Sequence, residues 1–144
     1  MRIIRLYWEN VNSLAGAYEI DFSAPEFRAN GLFAITGPMG SGKTSILDAV
    51  TIALFGKTAR SSPYERKHDR EDDCMFMTKG RARCEAKIVF ESKGRLYCSR
   101  WSRGTTKTGR LKPPEVELGT FDVMEDLETN SIRILAEKKT EWDA

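Results

Sequence analysis

Gly37-Pro38-Met39-Gly40-Ser41-Gly42-Lys43-Thr44 is the stretch on which the reading of this chain turns. A glycine, four residues, a second glycine, then lysine and threonine is the spacing of a loop that grips phosphate. The flanks agree. Gly31 to Thr36 is a short apolar run, which predicts a buried strand entering the loop. Ser45 to Phe55 places Ile46, Val50, Ala53 and Leu54 at helical spacing, which predicts a helix leaving it, with Gly56 as its C-terminal cap. A phosphate chain must be held by several backbone N–H groups at once, which demands tight curvature. Gly37, Gly40 and Gly42 permit that curvature with no Cβ in the way. Pro38 lacks an N–H, so it shapes the turn without donating. The donors then run from Gly40 to Ser45, and the helix start adds unpaired N–H groups and the positive end of its dipole. Lys43 is the cation that reaches the β- and γ-phosphates, and the Thr44 hydroxyl is placed to ligate Mg²⁺. The competing reading, a glycine-rich turn with no ligand, does not explain a strand on one side and a helix on the other.

The chain has 144 residues, enough for one domain with its own core. A net charge of +2 is too small to name a partner. No apolar run reaches the ~18 residues that a membrane helix needs. Met1 to Trp8 lacks the apolar core and cleavage site of a secretory signal, and together these features point to the cytoplasm. Cys74, Cys84 and Cys98 are widely spaced and odd in number, and His68 is the sole histidine. That pattern argues against both a zinc site and a disulfide framework, and it predicts reduced thiols.

Working outward, residues 2–8 alternate and predict a first strand, followed by turn residues at Asn10 to Ser13 and at Ala15-Gly16. Tyr18 to Phe22 predicts a second strand, and Ser23 to Asn30 a connector. Two strands ahead of the phosphate loop is the order used by ABC-type ATPase heads, an analogy of fold. Beyond the helix, residues 57–80 are polar, with both charge signs interleaved around His68, and predict a solvated connector. Ala82 to Glu91 and Arg95 to Trp101 predict a hairpin turning at Ser92-Lys93-Gly94. Glu115 to Leu118 and Ser131 to Leu135 predict two further strands, with a turn near Glu128 to Asn130, and Lys138 to Ala144 carries no core pattern. The expected fold is α/β with α+β character, a single domain over 1–144. It divides into a β layer, phosphate loop and helix (1–56), a polar connector (57–80) and a β meander (81–137).

One charge asymmetry stands out. Ser92 to Pro114 holds seven basic residues and no acidic one. Arg100, Arg103, Lys107, Arg110 and Lys112 lie in or beside a glycine- and proline-containing loop at 102–114, expected to be mobile. Such a loop either meets a DNA backbone or is a solvated hairpin tip whose charge offsets the acidic stretch from Glu115 to Glu128. Trp101 is expected to pack on the sheet.

Several segments in order carry a family likeness. They are Leu6 to Leu14 with its Asn-x-Asn-Ser-Leu, Ile20-Asp21-Phe22, Asn30 to Gly37, Leu47-Asp48-Ala49 and Ala53 to Gly56. Then follow Met77 to Gly80, Val89-Phe90-Glu91, Arg100-Trp101 and Ile134 to Lys139. The chain resembles the N-terminal half of the ATPase head of the SbcC family, the large subunit of a bacterial DNA exonuclease complex. That family belongs with the structural-maintenance-of-chromosomes and ABC-type ATPases. The resemblance implies that Gly37, Pro38, Met39, Gly40, Ser41, Gly42, Lys43, Thr44 and Ser45 hold the triphosphate of ATP with Mg²⁺. It implies that Thr78, Lys79 and Gly80 lie near base and sugar, and that Asn12 and Ser13 border the nucleotide. Asp48, one helical turn from Thr44, either tunes the loop or, as expected here, is structural.

The resemblance also implies a split head. In that family a glutamine-bearing loop, a long coiled coil and a C-terminal lobe come later, and that lobe supplies the Walker B aspartate, the water-activating glutamate and the signature serine. None has a counterpart here, so the chain is expected to be one lobe that turns over little ATP alone. Its implied partners are its own C-terminal lobe, a second head with ATP at the interface, an SbcD-type nuclease subunit and double-stranded DNA ends, in the nucleoid-associated cytoplasm of a bacterium. Three rivals stand beside it. Another DNA-repair or chromosome ATPase head would share the nucleotide chemistry. A phosphotransferase would need an arginine-bearing lid. A DNA-binding module would ignore ATP and weaken steeply with salt.

Overall fold

The computed structural model describes residues 1–28, 34–58, 74–121 and 133–136. The chain runs through β1 (Arg2–Val11), β2 (Leu14–Asp21), a one-turn α1 (Pro25–Arg28), α2 (Lys43–Phe55), β3 (Arg83–Ser92), β4 (Arg95–Gly104), β5 (Glu115–Phe121) and β6 (Arg133–Ala136). The strands form one six-stranded sheet in the order β2-β1-β3-β4-β5-β6, and every neighbouring pair is antiparallel. β1 is therefore flanked by its hairpin partner β2 and by β3, which arrives much later in the chain.

Alternation explains which side of the sheet meets the helix. In β3, Cys84, Ala86 and Ile88 point one way, while Glu85, Lys87 and Val89 point the other. The first set joins Leu6, Trp8, Trp101 and Val116 against Ala49, Ile52 and Ala53 of α2, forming the main core. Leu6, Ile52 and Ile88 are wholly buried there, each stabilising the fold by roughly 1.5–3 kcal/mol on transfer from water. Ser99 ties sheet to helix, its Oγ donating to the Ala53 carbonyl at 2.6 Å. On the opposite face a smaller cluster of Ile4, Val89, Cys98 and Phe121 sits beside charged side chains. Trp101 packs edge-on against Phe76, with ring centroids 5.7 Å apart, as a sheet residue.

Several sequence expectations need correction. Ala34, Ile35 and Thr36, the described part of the strand expected before the phosphate loop, lie in no strand and are mostly exposed. A strand needs a partner backbone for its N–H and C=O groups, and none of the described strands runs beside this segment. The first turn is only Asn12-Ser13, and Ala15-Gly16 lies inside β2. The ladder is irregular between Glu9 and Val11, and the Asn10 side chain accepts the Gly16 N–H at 2.9 Å, which lets the hairpin close so early. The helix begins at Lys43 rather than Ser45, and its buried stripe is Ser45, Asp48, Ala49, Ile52 and Ala53. Ile46, Val50 and Leu54 pack at its margins. Gly56 does cap it, donating to Ile52.

The connector is also different at its far end. Residues 59–73, with His68 and its charged neighbours, lie outside the described residues, but Cys74 and Phe76 are core residues. Phe76 fills the space beside Trp101, so apolar surface wins over the polar surroundings in the sequence. The hairpin at Lys93-Gly94 is as expected, with left-handed φ at both turn residues. β4 and β5 run further than predicted, to Gly104 and Phe121. The expected turn near Glu128 to Asn130 and the stretch from Lys138 lie outside the described residues.

Candidate functional site

The phosphate loop arrives at α2 through a tight reversal. The Ser41 N–H donates to the Pro38 carbonyl at 3.2 Å, and the Ile46 N–H donates to the Gly42 carbonyl at 3.1 Å to open the helix. Gly42 is the N-cap, with φ 87° and no side-chain cap. The first N–H groups of any helix have no partner within it, so those of α2 open toward the cleft at its start. Gly42 must be glycine for a second reason. A Cβ there would stand 2.6 Å from Leu14 Cδ2.

Lys43 folds its ammonium back over the loop, donating to the Gly37 carbonyl at 2.7 Å and the Pro38 carbonyl at 2.6 Å. The Ser41 hydroxyl lies 3.4 Å from it. An open cleft of about 290 Å³ follows, lined by Ser13, Met39, Gly40, Gly42, Lys43, Thr44 and Ser45. Among the described residues its lining is one cation, three hydroxyls and the helix start, with no carboxylate. Such a set can receive an anion of phosphate character.

The β1–β2 turn is packed directly against this loop. Asn12 Nδ2 donates to Asp48 Oδ2 at 2.8 Å, and the Ser13 and Ser45 hydroxyls stand 3.4 Å apart. On its other side the turn holds residues 76–78. The Asn12 N–H donates to the Phe76 carbonyl at 2.8 Å, and the Thr78 N–H to the Asn10 carbonyl at 2.9 Å. Thr78, Lys79 and Gly80 line a second open cleft of about 330 Å³ with Cys74, Arg81, Thr105 and Leu111. Ser13 thus shares a cleft with the phosphate loop, Thr78 to Gly80 sit across the turn from it, and the Asn12 amide is turned to Asp48. Sequence reading overlooked Leu14. The only signal for it was its place directly after Asn-x-Asn-Ser.

The basic set separates into two groups. Arg100 is drawn to the sheet face, where Nε and Nη2 donate to the Glu85 carboxylate at 2.9 and 3.1 Å. Arg83 also pairs with Glu85. Burial would raise the Glu85 carboxyl, but the bonds from Arg100 and Arg83 hold it below its ordinary value. The bond to Glu85 in turn raises Arg100. Arg103 donates from Nε to the Lys112 carbonyl at 3.0 Å. Lys107, Arg110 and Lys112 are exposed. The loop that carries them is closed by backbone bonds rather than irregular. Thr106 N–H donates to Arg110, Lys112 N–H to Gly104, and Thr105 N–H to Ala82.

Cys74, Cys84 and Cys98 are buried free thiols. A hydrogen bond between the two thiols lowers Cys74, and that bond together with burial raises Cys84. No group of three or more metal-ligating side chains gathers among the described residues. Among those residues, no helix is long and apolar enough to cross a membrane.

Comparison with known proteins places the chain in a family. The chain is 35% identical to the SbcC component of nuclease SbcCD from Pseudomonas aeruginosa, across 99% of its own length and 12% of that protein. It is 36% identical to the protein of the same name from Rhodobacter capsulatus across 70% of the chain and 9% of the relative. For that of Deinococcus radiodurans the figures are 31%, 85% and 12%. The chain therefore spans about an eighth or less of the length of these curated relatives. The AAA domain profile matches residues 5–140, nearly the whole chain and with it both clefts, so the chain belongs to the AAA domain family.

Proposed function

We propose that this chain is the Mg-ATP-binding lobe of an SbcC-like DNA-repair ATPase. The observation that carries this reading is the cleft at the start of α2, where Lys43, Thr44, Ser45 and the glycines converge, with no carboxylate among the described lining residues. The triphosphate lies against the N–H groups from Gly40 to Ser45. Lys43 leaves the Gly37 and Pro38 carbonyls to meet the β- and γ-phosphates. Thr44 is the protein ligand for Mg²⁺, a hard cation suited to a hydroxyl and phosphate oxygens. When bound, Mg²⁺ neutralises phosphate charge. Ser13 borders the nucleotide from the β1–β2 turn, and Thr78, Lys79 and Gly80 lie toward its base and sugar.

Water activation falls to the second lobe of a split head, a reading supported by a cleft whose described lining residues include no acidic side chain. In the intact protein, ATP joins two such heads, and its hydrolysis gates a partner nuclease at double-stranded DNA ends. The exposed Lys107, Arg110 and Lys112, with Arg103 beside them, are the candidate DNA contacts, while Arg100 is occupied by Glu85. A head from another DNA-repair or chromosome ATPase would use the same cleft and differ only in pathway.

Calorimetric titration with Mg-ATP tests the reading, with Lys43→Ala as the control. Loss of a charged donor should weaken binding by roughly 10- to 100-fold. Equal affinity in the two proteins would defeat it, as would DNA binding that falls with salt in a protein indifferent to ATP.

A further inference from the structure

We propose that Asn12 and Asp48 are a positioning pair that sets the phosphate loop, and that neither side chain touches the nucleotide. The pair serves the nucleotide site proposed above, and its value for binding rests on that reading.

Asn12 and Ser13 of the β1–β2 turn, with Leu14 at the start of β2, meet α2 and its N-cap at three evenly spaced positions. Leu14 packs on Gly42, where a Cβ would stand 2.6 Å from its Cδ2. Ser13 Oγ faces Ser45 Oγ at 3.4 Å. Asn12 Nδ2 donates to Asp48 Oδ2 at 2.8 Å. Residues 42, 45 and 48 share one face of a helix, so the turn lies along the first two turns of α2 like a splint. Gly42 has no side-chain cap of its own. The Leu14 side chain covers it from outside.

The hydrogen bond between Asn12 and Asp48 fixes the far end of the splint. Asn12 has φ 52°, in the left-handed region that asparagine and aspartate tolerate better than other side chains. Its N–H is pinned to the Phe76 carbonyl at 2.8 Å, so the backbone is anchored on the side away from the helix. Asp48 is 4% exposed. An Asn12 that swung toward phosphate would abandon a bond to a buried carboxyl, which is costly. Asn12 is thus worth more as a strut than as a ligand.

The pair can be reversed. In Asn12→Asp with Asp48→Asn, residue 48 becomes the donor and residue 12 the acceptor, with net charge unchanged. A phosphate-contacting Asn12 would not survive that exchange, since an aspartate there repels phosphate. The intact protein is compared as wild type, N12A, D48A and N12D/D48N, by hydrogen exchange of residues 37–46 without nucleotide and by Mg-ATP affinity. The single variants should speed exchange in 37–46 but not in β3 and β4, and weaken Mg-ATP binding about tenfold. The swapped pair should restore exchange fully and affinity to within about threefold of wild type. A swap no better than N12A overturns the assignment. So does faster exchange throughout β3 and β4, which would mean general loosening, or an N12A indistinguishable from wild type. If D48A does not fold, N12A against the swap decides the matter. If wild type and Lys43→Ala bind Mg-ATP equally, the nucleotide reading fails, and the exchange comparison alone judges the pair.

Discussion

Replacing Gly42 with alanine should destabilise the protein by roughly 2–3 kcal/mol, and the cost divides into two separable parts. Gly42 sits at φ 87° and ψ 9° as the N-cap of α2. A residue with a Cβ pays ~1–2 kcal/mol in that region. The new Cβ would also lie 2.6 Å from Leu14 Cδ2 and 3.1 Å from Leu14 Cγ. Relief requires Leu14 to leave its rotamer, at ~0.5–1.5 kcal/mol. The backbone part is the larger, and trimming Leu14 cannot remove it. Urea unfolding of wild type, G42A, L14A and the double variant measures both parts as a cycle. The double variant should be less destabilised than the sum of the singles by about 1 kcal/mol, leaving the conformational cost behind. A G42A protein within about 0.5 kcal/mol of wild type would refute the backbone argument. A strictly additive cycle would refute the contact with Leu14.

Three further outcomes follow from the sheet. Burial pushes the Glu85 carboxyl up, but Arg100 and Arg83 together hold it below its ordinary value. Its folded value thus lies under its unfolded one, so its contribution is present above about pH 4.3 and is lost as pH falls through the folded value. Wild type should therefore lose stability more steeply than Glu85→Gln between about pH 5 and pH 3, and parallel curves would contradict this. At neutral pH, E85Q should cost about 1–3 kcal/mol, read from urea midpoints. Ser99 is 1% exposed and bonds the Ala53 carbonyl at 2.6 Å. Ser99→Ala should lower stability by about 1 kcal/mol, seen as a drop of a few degrees in Tm, and an unchanged Tm would show that the bond contributes nothing.

Much of the local structure was legible. The glycine spacing from Gly37 to Thr44 located the loop, Gly56 marked the end of the helix, and alternation with Lys93-Gly94 marked the β3–β4 hairpin. The misreadings share a cause. Ala15-Gly16 looks like a turn, but Asn10 accepts the Gly16 N–H and the chain reverses earlier. Ile46, Val50 and Leu54 look like the inner stripe of α2, yet the sheet meets the helix along Ala49, Ile52 and Ala53. Arg100 looks like one of a basic run, yet Glu85 on the neighbouring strand claims it.

The sequence by itself determined what depends on near neighbours: a glycine-rich loop with the spacing of a phosphate site, the helix it opens, the hairpins, and the family likeness that goes with them. Only the tertiary structure decided that β3 pairs with β1, that Phe76 leaves a polar stretch for the core, and that Asn12, Ser13 and Leu14 brace α2 at Asp48, Ser45 and Gly42. Turn chemistry and periodicity act over a few residues, so a string of letters carries them. Which distant surfaces meet is set by the burial and hydrogen bonding of the whole chain at once, and no single spacing records it.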